Sequence, residues 1–74
     1  MKEIIVFSYQ GSDPILYKEV DYKFSIGDTV YYELTKEELE ILKDFYPNSD
    51  CEGVITKKWI NIVDMKILWT VDIS

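Results

Sequence analysis

Apolar and polar residues alternate along several short segments of the chain, with the two-residue period of strands that bury one face. The first predicted strand covers residues 2–9, and a loop with glycine and proline follows at 10–14. The second strand covers 17–24 and leads through a turn at 25–28 into a third at 29–34. The second strand places Val20, Tyr22 and Phe24 on one face and charged residues on the other, and the third strand separates Val30, Tyr32 and Leu34 from Tyr31 and Glu33.

One segment has the period of a helix instead. Thr35 is a predicted N-cap, and Glu38, three residues later, completes a capping box. The apolar stripe of this helix consists of Leu39, Leu42, Phe45 and Tyr46. Its polar side consists of Lys36, Glu40, Lys43 and Asp44. Pro47 ends the helix.

Two further strands follow the helix. The fourth begins at Gly53 and runs towards Ile60, and the last covers residues 66–73, with a turn near 61–64 between them. The order of elements is therefore βββαββ in one domain, residues 1–74. We expect a mostly β fold with one helix, either a small five-stranded barrel or a strongly bent sheet.

Two segments of the chain resemble SH3-like small barrels. The Gly-Asp-x-Val hairpin and the Gly-Val-Ile strand of that fold are similar to FSIGDTVYY at 24–32 and EGVITK at 52–57. The resemblance implies an SH3-like barrel. A helix between the third and fourth strands is also a feature of the OB-fold, which stays the alternative.

The composition argues against ordinary enzyme chemistry. The chain has no His and no Arg, so a Ser-His-Asp site and a bidentate anion clamp are both impossible. The one cysteine, Cys51, has acidic neighbours that disfavour its thiolate. A zinc site lacks ligands, and the acids at 44–52 lack the spacing of a calcium loop. We expect no enzyme activity, no metal and no cofactor.

The charge balance narrows the class of partner. Fourteen acids against eight lysines give a net charge of −6, the reverse of what a nucleic-acid-binding protein carries. We therefore expect no direct contact with DNA or RNA. No apolar run is long enough to cross a bilayer, so we expect a cytoplasmic protein that does not contact membranes.

Several acids fall on predicted outward-facing positions. If the second and third strands pair as a hairpin, these acids could form one patch. The candidate partner-binding residues are Glu19, Asp21, Glu33, Glu37, Glu40, Asp44, Asp50 and Glu52. Such a patch could imitate nucleic-acid phosphates and occupy the basic groove of another protein, while the alternative is a surface that only confers solubility.

In size, acidity and lack of catalytic residues, the chain resembles the short acidic host-takeover proteins of phages that infect low-GC bacteria. This resemblance is compositional and transfers no site. It implies a homodimeric DNA mimic that inhibits a host DNA-binding or replication protein, such as the sliding clamp or an HU-type nucleoid protein. The alternatives are an SH3-like module that binds peptides and a structural accessory protein.

Overall fold

Among the residues that the structure describes, the five predicted strands and the one predicted helix all form. The computed structural model describes residues 1–11 and 13–73. The predicted loop at 10–14 contains Ser12, which lies outside the described residues. The elements in chain order are β1 (Lys2–Tyr9), β2 (Pro14–Val20), β3 (Thr29–Glu33), α1 (Lys36–Leu42), β4 (Asp50–Asn61) and β5 (Lys66–Ile73).

All five strands belong to one sheet. Their order across the sheet is β2-β1-β5-β4-β3. The neighbouring strands β1 and β5 run parallel, and the other neighbouring pairs are antiparallel. The sheet is strongly curled into a half-barrel, which is the bent form of the predicted fold and is consistent with a small SH3-like barrel. The edge strands β2 and β3 are not paired with each other.

The second strand lies earlier in the chain than its alternation predicts. The prediction of 17–24 is wrong, because β2 starts at Pro14 and ends at Val20. Val20 pairs with Glu3 at the beginning of β1, so residues 21–24 have no neighbouring strand to pair with. Alternation alone does not make a strand when the partner strand has ended.

The helix and the fourth strand also differ from their predicted bounds. The helix ends at Leu42, and Phe45, assigned to its apolar stripe, is exposed. The fourth strand begins at Asp50 rather than Gly53, because Asp50 pairs with Glu33. The Thr35 capping box forms as predicted.

The core fills the concave side of the half-barrel. Side chains from β1, β4 and β5 supply its centre, and α1 covers it through Leu42 with Leu39 packed alongside. Tyr46 follows the helix into this core, where its ring meets that of Tyr9 edge-on at 4.9 Å between centroids. The fully buried side chains are Phe7, Cys51, Ile55 and Val71.

The two segments that resemble SH3-like barrels lie side by side. Val30 pairs with Gly53 in the β3–β4 ladder. The turn before β3 is closed by a hydrogen bond from the Ser25 backbone N–H to the Asp28 carboxylate, 2.8 Å long. Gly27 has a φ of 95°, a conformation that side-chain-bearing residues rarely adopt. The short motif therefore encodes a tight turn that starts β3.

The two edges of the half-barrel are joined by side chains. Glu38 accepts a 2.7 Å hydrogen bond from the Tyr32 hydroxyl of β3 and forms a 3.2 Å ion pair with Lys18 of β2. The same carboxylate accepts a 2.9 Å hydrogen bond from the Thr35 backbone N–H. We call the gap between the β2 and β3 edges the seam. One carboxylate thus connects both sides of the seam and the start of the helix.

Glu38 should therefore make stability depend on pH in the acid range. Its partial burial disfavours the charged form, but hydrogen bonds from Thr35, Tyr32 and Lys18 outweigh that effect and lower its pKa from 4.5 to about 2. Because the folded-state pKa is lowered, the stabilisation is present above the unfolded pKa and is lost as the pH falls towards 2. We predict that Glu38→Gln lowers the free energy of unfolding by about 1–2 kcal/mol at neutral pH.

Urea unfolding of both proteins between pH 7 and pH 2 measures this effect. The difference in unfolding free energy between wild type and Glu38→Gln should shrink through the window from pH 4.5 to 2. Glu37→Gln, one position earlier on the exposed side of the helix, is the matched control and should give a small, pH-independent difference. If the destabilisation by Glu38→Gln is the same at pH 2 as at pH 7, the charged Glu38 carboxylate is not the source of the stability.

Candidate partner-binding surfaces

Three of the predicted acids lie together on the convex face of the sheet. Glu33 and Asp50 are directly opposed partners in the β3–β4 ladder, and Glu52 lies two residues further along β4 on the same face. Residues two apart on a strand are separated by about 7 Å, and directly opposed side chains by about 5 Å. The register therefore packs three carboxylates into a small area.

Two residues absent from the sequence-based prediction belong to this surface. The Tyr31 hydroxyl lies 3.2 Å from the Glu33 carboxylate and 3.4 Å from that of Asp50, so it bridges the opposed pair. Asp72 of β5 pairs with Val54, which places it on the same face next to the Glu52 side of β4. We define the acidic face as Tyr31, Glu33, Asp50, Glu52 and Asp72. Alternation along β5 alone could have indicated Asp72 as outward-facing.

The other five predicted acids lie elsewhere. Glu19 lies in β2 and Asp21 just after it, so they belong to the other side of the seam from β3, where Glu19 and Tyr31 line a common groove. Glu37 and Glu40 lie on the side of α1 that faces away from the concave core, and Asp44 is exposed in the turn that follows the helix. The hypothesis that β2 and β3 form a hairpin is wrong, so the eight acids do not merge into one patch. β1 takes the place beside β2, and β4 takes the place beside β3.

The acidic face is not neutralised by the protein itself. The two ion pairs among the described residues, Lys18–Glu38 and Lys43–Glu40, do not involve it. Local desolvation, the hydrogen bond to Glu33 and the charges of Glu33 and Asp50 all raise the pKa of Tyr31. The hydroxyl therefore stays protonated and donates to the carboxylates at neutral pH.

A second surface is apolar and lies at the β4–β5 hairpin. Trp59 is 56% exposed, Ile62 75% and Val63 87%. We define the hairpin patch as Tyr17, Trp59, Ile60, Ile62, Val63 and Met65. Tyr17, Trp59, Ile60 and Ile62 line a depression of about 550 Å³ with Val6 and Leu68. So much apolar surface on a small domain indicates a contact site.

The tip of this hairpin is held in a defined shape. The Asn61 side-chain oxygen accepts hydrogen bonds from the backbone N–H groups of Val63 (3.0 Å) and Asp64 (3.1 Å). The Asn61 amide donates to the Asp64 carboxylate at 3.3 Å. The turn is thus fixed by polar residues while it presents two aliphatic side chains to solvent.

A third feature is an apolar groove of about 380 Å³ on the concave side of the seam. Its lining includes Phe7, Val20, Phe24, Val30 and Tyr32. We call it the seam groove. The ammonium of Lys18 lies 5.2 Å from the centre of the Tyr32 ring, so a cation crosses one part of it.

The buried thiol of Cys51 and the carboxylates of the described residues are the remaining groups that could carry chemistry. Burial is the main cause of the raised pKa of Cys51, whose thiol is fully enclosed in the core. Among the described residues, no group of three or more His, Cys, Asp or Glu side chains is arranged to hold a metal ion. No helix in this part of the chain is long and apolar enough to span a membrane.

Comparison of the chain with family models, with curated proteins and with solved structures found no match. The candidate surfaces are therefore inferred from the structure of this chain alone.

The opposed carboxylates of Glu33 and Asp50 should reduce stability. Like charges directly opposite each other on a sheet repel, with an energy of about 0.2–1 kcal/mol. We predict that Glu33→Gln raises the free energy of unfolding by about that amount at low salt, and that the gain falls at high salt because the repulsion is screened. Urea unfolding at two salt concentrations measures it.

Glu19→Gln is the matched control, because Glu19 is also exposed on an edge strand but lies opposite Ile4 instead of an acid. It makes the same change in net charge and should have little effect. Equal stabilisation by both substitutions would mean that the total charge matters and the Glu33–Asp50 pair does not.

Proposed function

We propose that this protein is a small acidic binding protein that occupies the basic nucleic-acid-binding surface of another protein. The acidic face would lie where phosphates otherwise bind. The single observation that carries the proposal is the opposed Glu33–Asp50 pair with Glu52 beside it, unneutralised by any ion pair among the described residues. Opposed carboxylates lower the stability of the free protein. We therefore infer that they serve contact with another molecule.

The charge density of this surface suits that role. Asp50 and Glu52 are two residues apart on β4, a backbone spacing of about 7 Å, and Glu33 extends the set across to β3. A basic groove that binds DNA has its lysines and arginines placed to neutralise closely spaced phosphates. Complementary charge of this kind speeds association and makes it sensitive to salt.

The compositional resemblance to phage host-takeover proteins supports a particular kind of partner. A replication or nucleoid protein of a low-GC bacterium, such as the sliding clamp or an HU-type protein, has the required basic surface. By occupying that surface, this protein would inhibit the replication or nucleoid protein in the cytoplasm of the host, where that partner is located. It would not bind nucleic acid itself.

Neutralising the acidic face should abolish this binding. The test variant is Glu33→Gln with Asp50→Asn and Glu52→Gln. Tagged wild-type protein should capture a DNA-binding protein from a low-GC bacterial lysate at low salt, release it at high salt and lose it to added duplex DNA. The triple variant should capture much less of the same protein, as quantified by mass spectrometry.

A matched triple variant separates the acidic face from net charge. Glu37→Gln with Glu40→Gln and Asp44→Asn changes the charge by the same amount on the helical segment. It should retain most of the binding. If both triples lose binding equally, overall charge explains the contact. If the captured protein resists salt and has no nucleic-acid role, a peptide-binding or structural module is the better account.

We further propose that the protein is a homodimer joined through the hairpin patch. With about 200 Å² for each large side chain, the exposed fractions of its six residues amount to roughly 800 Å². That is about the area that each partner contributes to a stable interface. The depression between Tyr17 and Ile62 gives the patch a concave part beside its protruding tip, as a self-complementary surface requires.

Removing the apolar tip should dissociate this dimer. Sedimentation equilibrium at tens of micromolar should give wild type a mass near twice the 8.8 kDa of the chain. Ile62→Ser with Val63→Ser should be monomeric, while Ile41→Ser, at an exposed position on the helix, should remain dimeric. Added salt should strengthen the dimer by screening Lys57, which lies over Trp59. A wild-type mass near 8.8 kDa would rule the dimer out.

A further inference from the structure

The outer edge of β3 exposes a regular row of backbone hydrogen-bonding groups. The Ile55 N–H donates to the Asp28 carbonyl (2.9 Å) at one end of the β3–β4 ladder, and the Leu34 N–H donates to the Ser49 carbonyl (3.0 Å) at the other. Antiparallel strands alternate between residues that bond to the neighbour and residues that point away from it. Thr29, Tyr31 and Glu33 therefore direct their N–H and C=O groups away from β4.

These six backbone groups have no hydrogen-bond partner among the described residues. β3 is the last strand of the sheet, and β2, at the other side of the seam, pairs with β1 instead. The contacts that cross the seam are made by the side chains of Lys18, Tyr32 and Glu38 and leave the backbone of Thr29, Tyr31 and Glu33 unused. An unpaired edge of this kind is a template for another strand.

The two faces beside this edge differ in character. On the convex side lie Tyr31 and Glu33, with Asp50 and Glu52 on the adjacent strand. On the concave side, Val30 and Tyr32 border the seam groove, which is mainly apolar. A strand added to β3 would place its alternate side chains against acids on one face and against apolar groups on the other.

We propose that the partner contributes an extended segment, in which basic and apolar residues alternate, that adds to β3 as a sixth strand. This inference rests on the proposed function and specifies how the partner recognises the acidic face. Backbone hydrogen bonds would supply affinity, and the two faces would select the sequence. Basic side chains on the convex face would lie beside Tyr31 and Glu33. Asp50 and Glu52 are one strand further across the sheet, about 10 Å from the added strand, which a long lysine side chain can span.

Charge argues against a second copy of this chain as the occupant of the β3 edge. Two β3 edges brought together would add another Glu33 and another Asp50 to a face that already holds opposed carboxylates. Like charges across paired strands are destabilising. A basic segment instead neutralises the repulsion between Glu33 and Asp50, so binding it relieves a cost that the free protein carries.

The test uses a short blocked peptide of alternating lysine and valine, and a control peptide in which the same residues are grouped in two blocks. Tyr31→Pro removes one outward N–H, and a proline there disrupts no bond to β4 because that N–H points away from it. Tyr31→Val keeps the N–H and equally lacks the hydroxyl, so it is the matched variant. Calorimetry measures the dissociation constants at low salt.

We expect the alternating peptide to bind wild type. It should bind Tyr31→Pro at least about tenfold more weakly than Tyr31→Val, because both variants lack the hydroxyl of the acidic face, whereas only proline removes an edge N–H and sterically blocks strand addition. In wild type, the peptide should slow amide hydrogen exchange at Thr29, Tyr31 and Glu33. This exchange measurement does not depend on how well the proline variant folds.

Equal affinity for the proline and valine variants, no slowing at the three amides, or no preference for the alternating peptide would overturn strand addition. Suppose that strand addition is overturned but wild type binds the peptide and the variant Glu33→Gln with Asp50→Asn and Glu52→Gln does not. The acidic face is then still a binding surface, and only the claim that the peptide adds as a strand is wrong. If that triple variant binds the peptide as wild type does, recognition by the acidic face falls as well.

Discussion

The carboxylate of Glu38 is the contact on which the arrangement of the half-barrel depends. It caps the helix through Thr35, receives the hydroxyl of Tyr32 from one sheet edge and pairs with Lys18 from the other. A domain of this size buries a limited core, so a single charged residue that ties three elements together has a large share in its stability. Because the described contacts across the seam are made by side chains and not by backbone hydrogen bonds, the outer backbone groups of β3 remain available for pairing.

The remaining surface divides into two regions of opposite chemistry. The acidic face gathers carboxylates around the Tyr31 hydroxyl at the β3 edge, and the hairpin patch gathers aliphatic and aromatic side chains at the β4–β5 turn. Neither arrangement improves the stability of an isolated monomer, since opposed acids repel and exposed apolar side chains gain nothing from solvent. The two regions have no residue in common, which allows one to join copies of the chain while the other meets a basic partner.

Much of the fold could be predicted from the sequence, because alternation and capping are local signals. The limits of β1 and β5, the Thr35 capping box and the turn before β3 all follow from neighbouring residues. The end of β2 at Val20 could not be predicted locally, since it depends on where β1 begins. Phe45 has helical spacing but lies beyond the end of the helix at Leu42, so the helical period by itself predicts a helix that is too long.

The candidate site was predicted only in part for the same reason. Glu33, Asp50 and Glu52 were each recognisable as outward-facing acids, but their common position depends on the register that opposes Glu33 to Asp50. The order of the strands places Glu19 and Asp21 across the seam from these acids and not on a strand paired with β3, as chain order had suggested. The role of Tyr31 as a bridge between two carboxylates, and the unpaired edge beside it, follow only from the order of strands in the sheet.

The central structural claim is that β3 is an edge strand bonded on one side only, and amide hydrogen exchange of the free protein, below its self-association concentration, tests it most directly. The account predicts alternation along the strand: the amides of Thr29, Tyr31 and Glu33 exchange fast, while those of Val30, Tyr32 and Leu34 are protected by β4 and the segment before it. Uniform protection along β3 would mean that its outer edge is already paired, and both the open seam and strand addition would then be wrong.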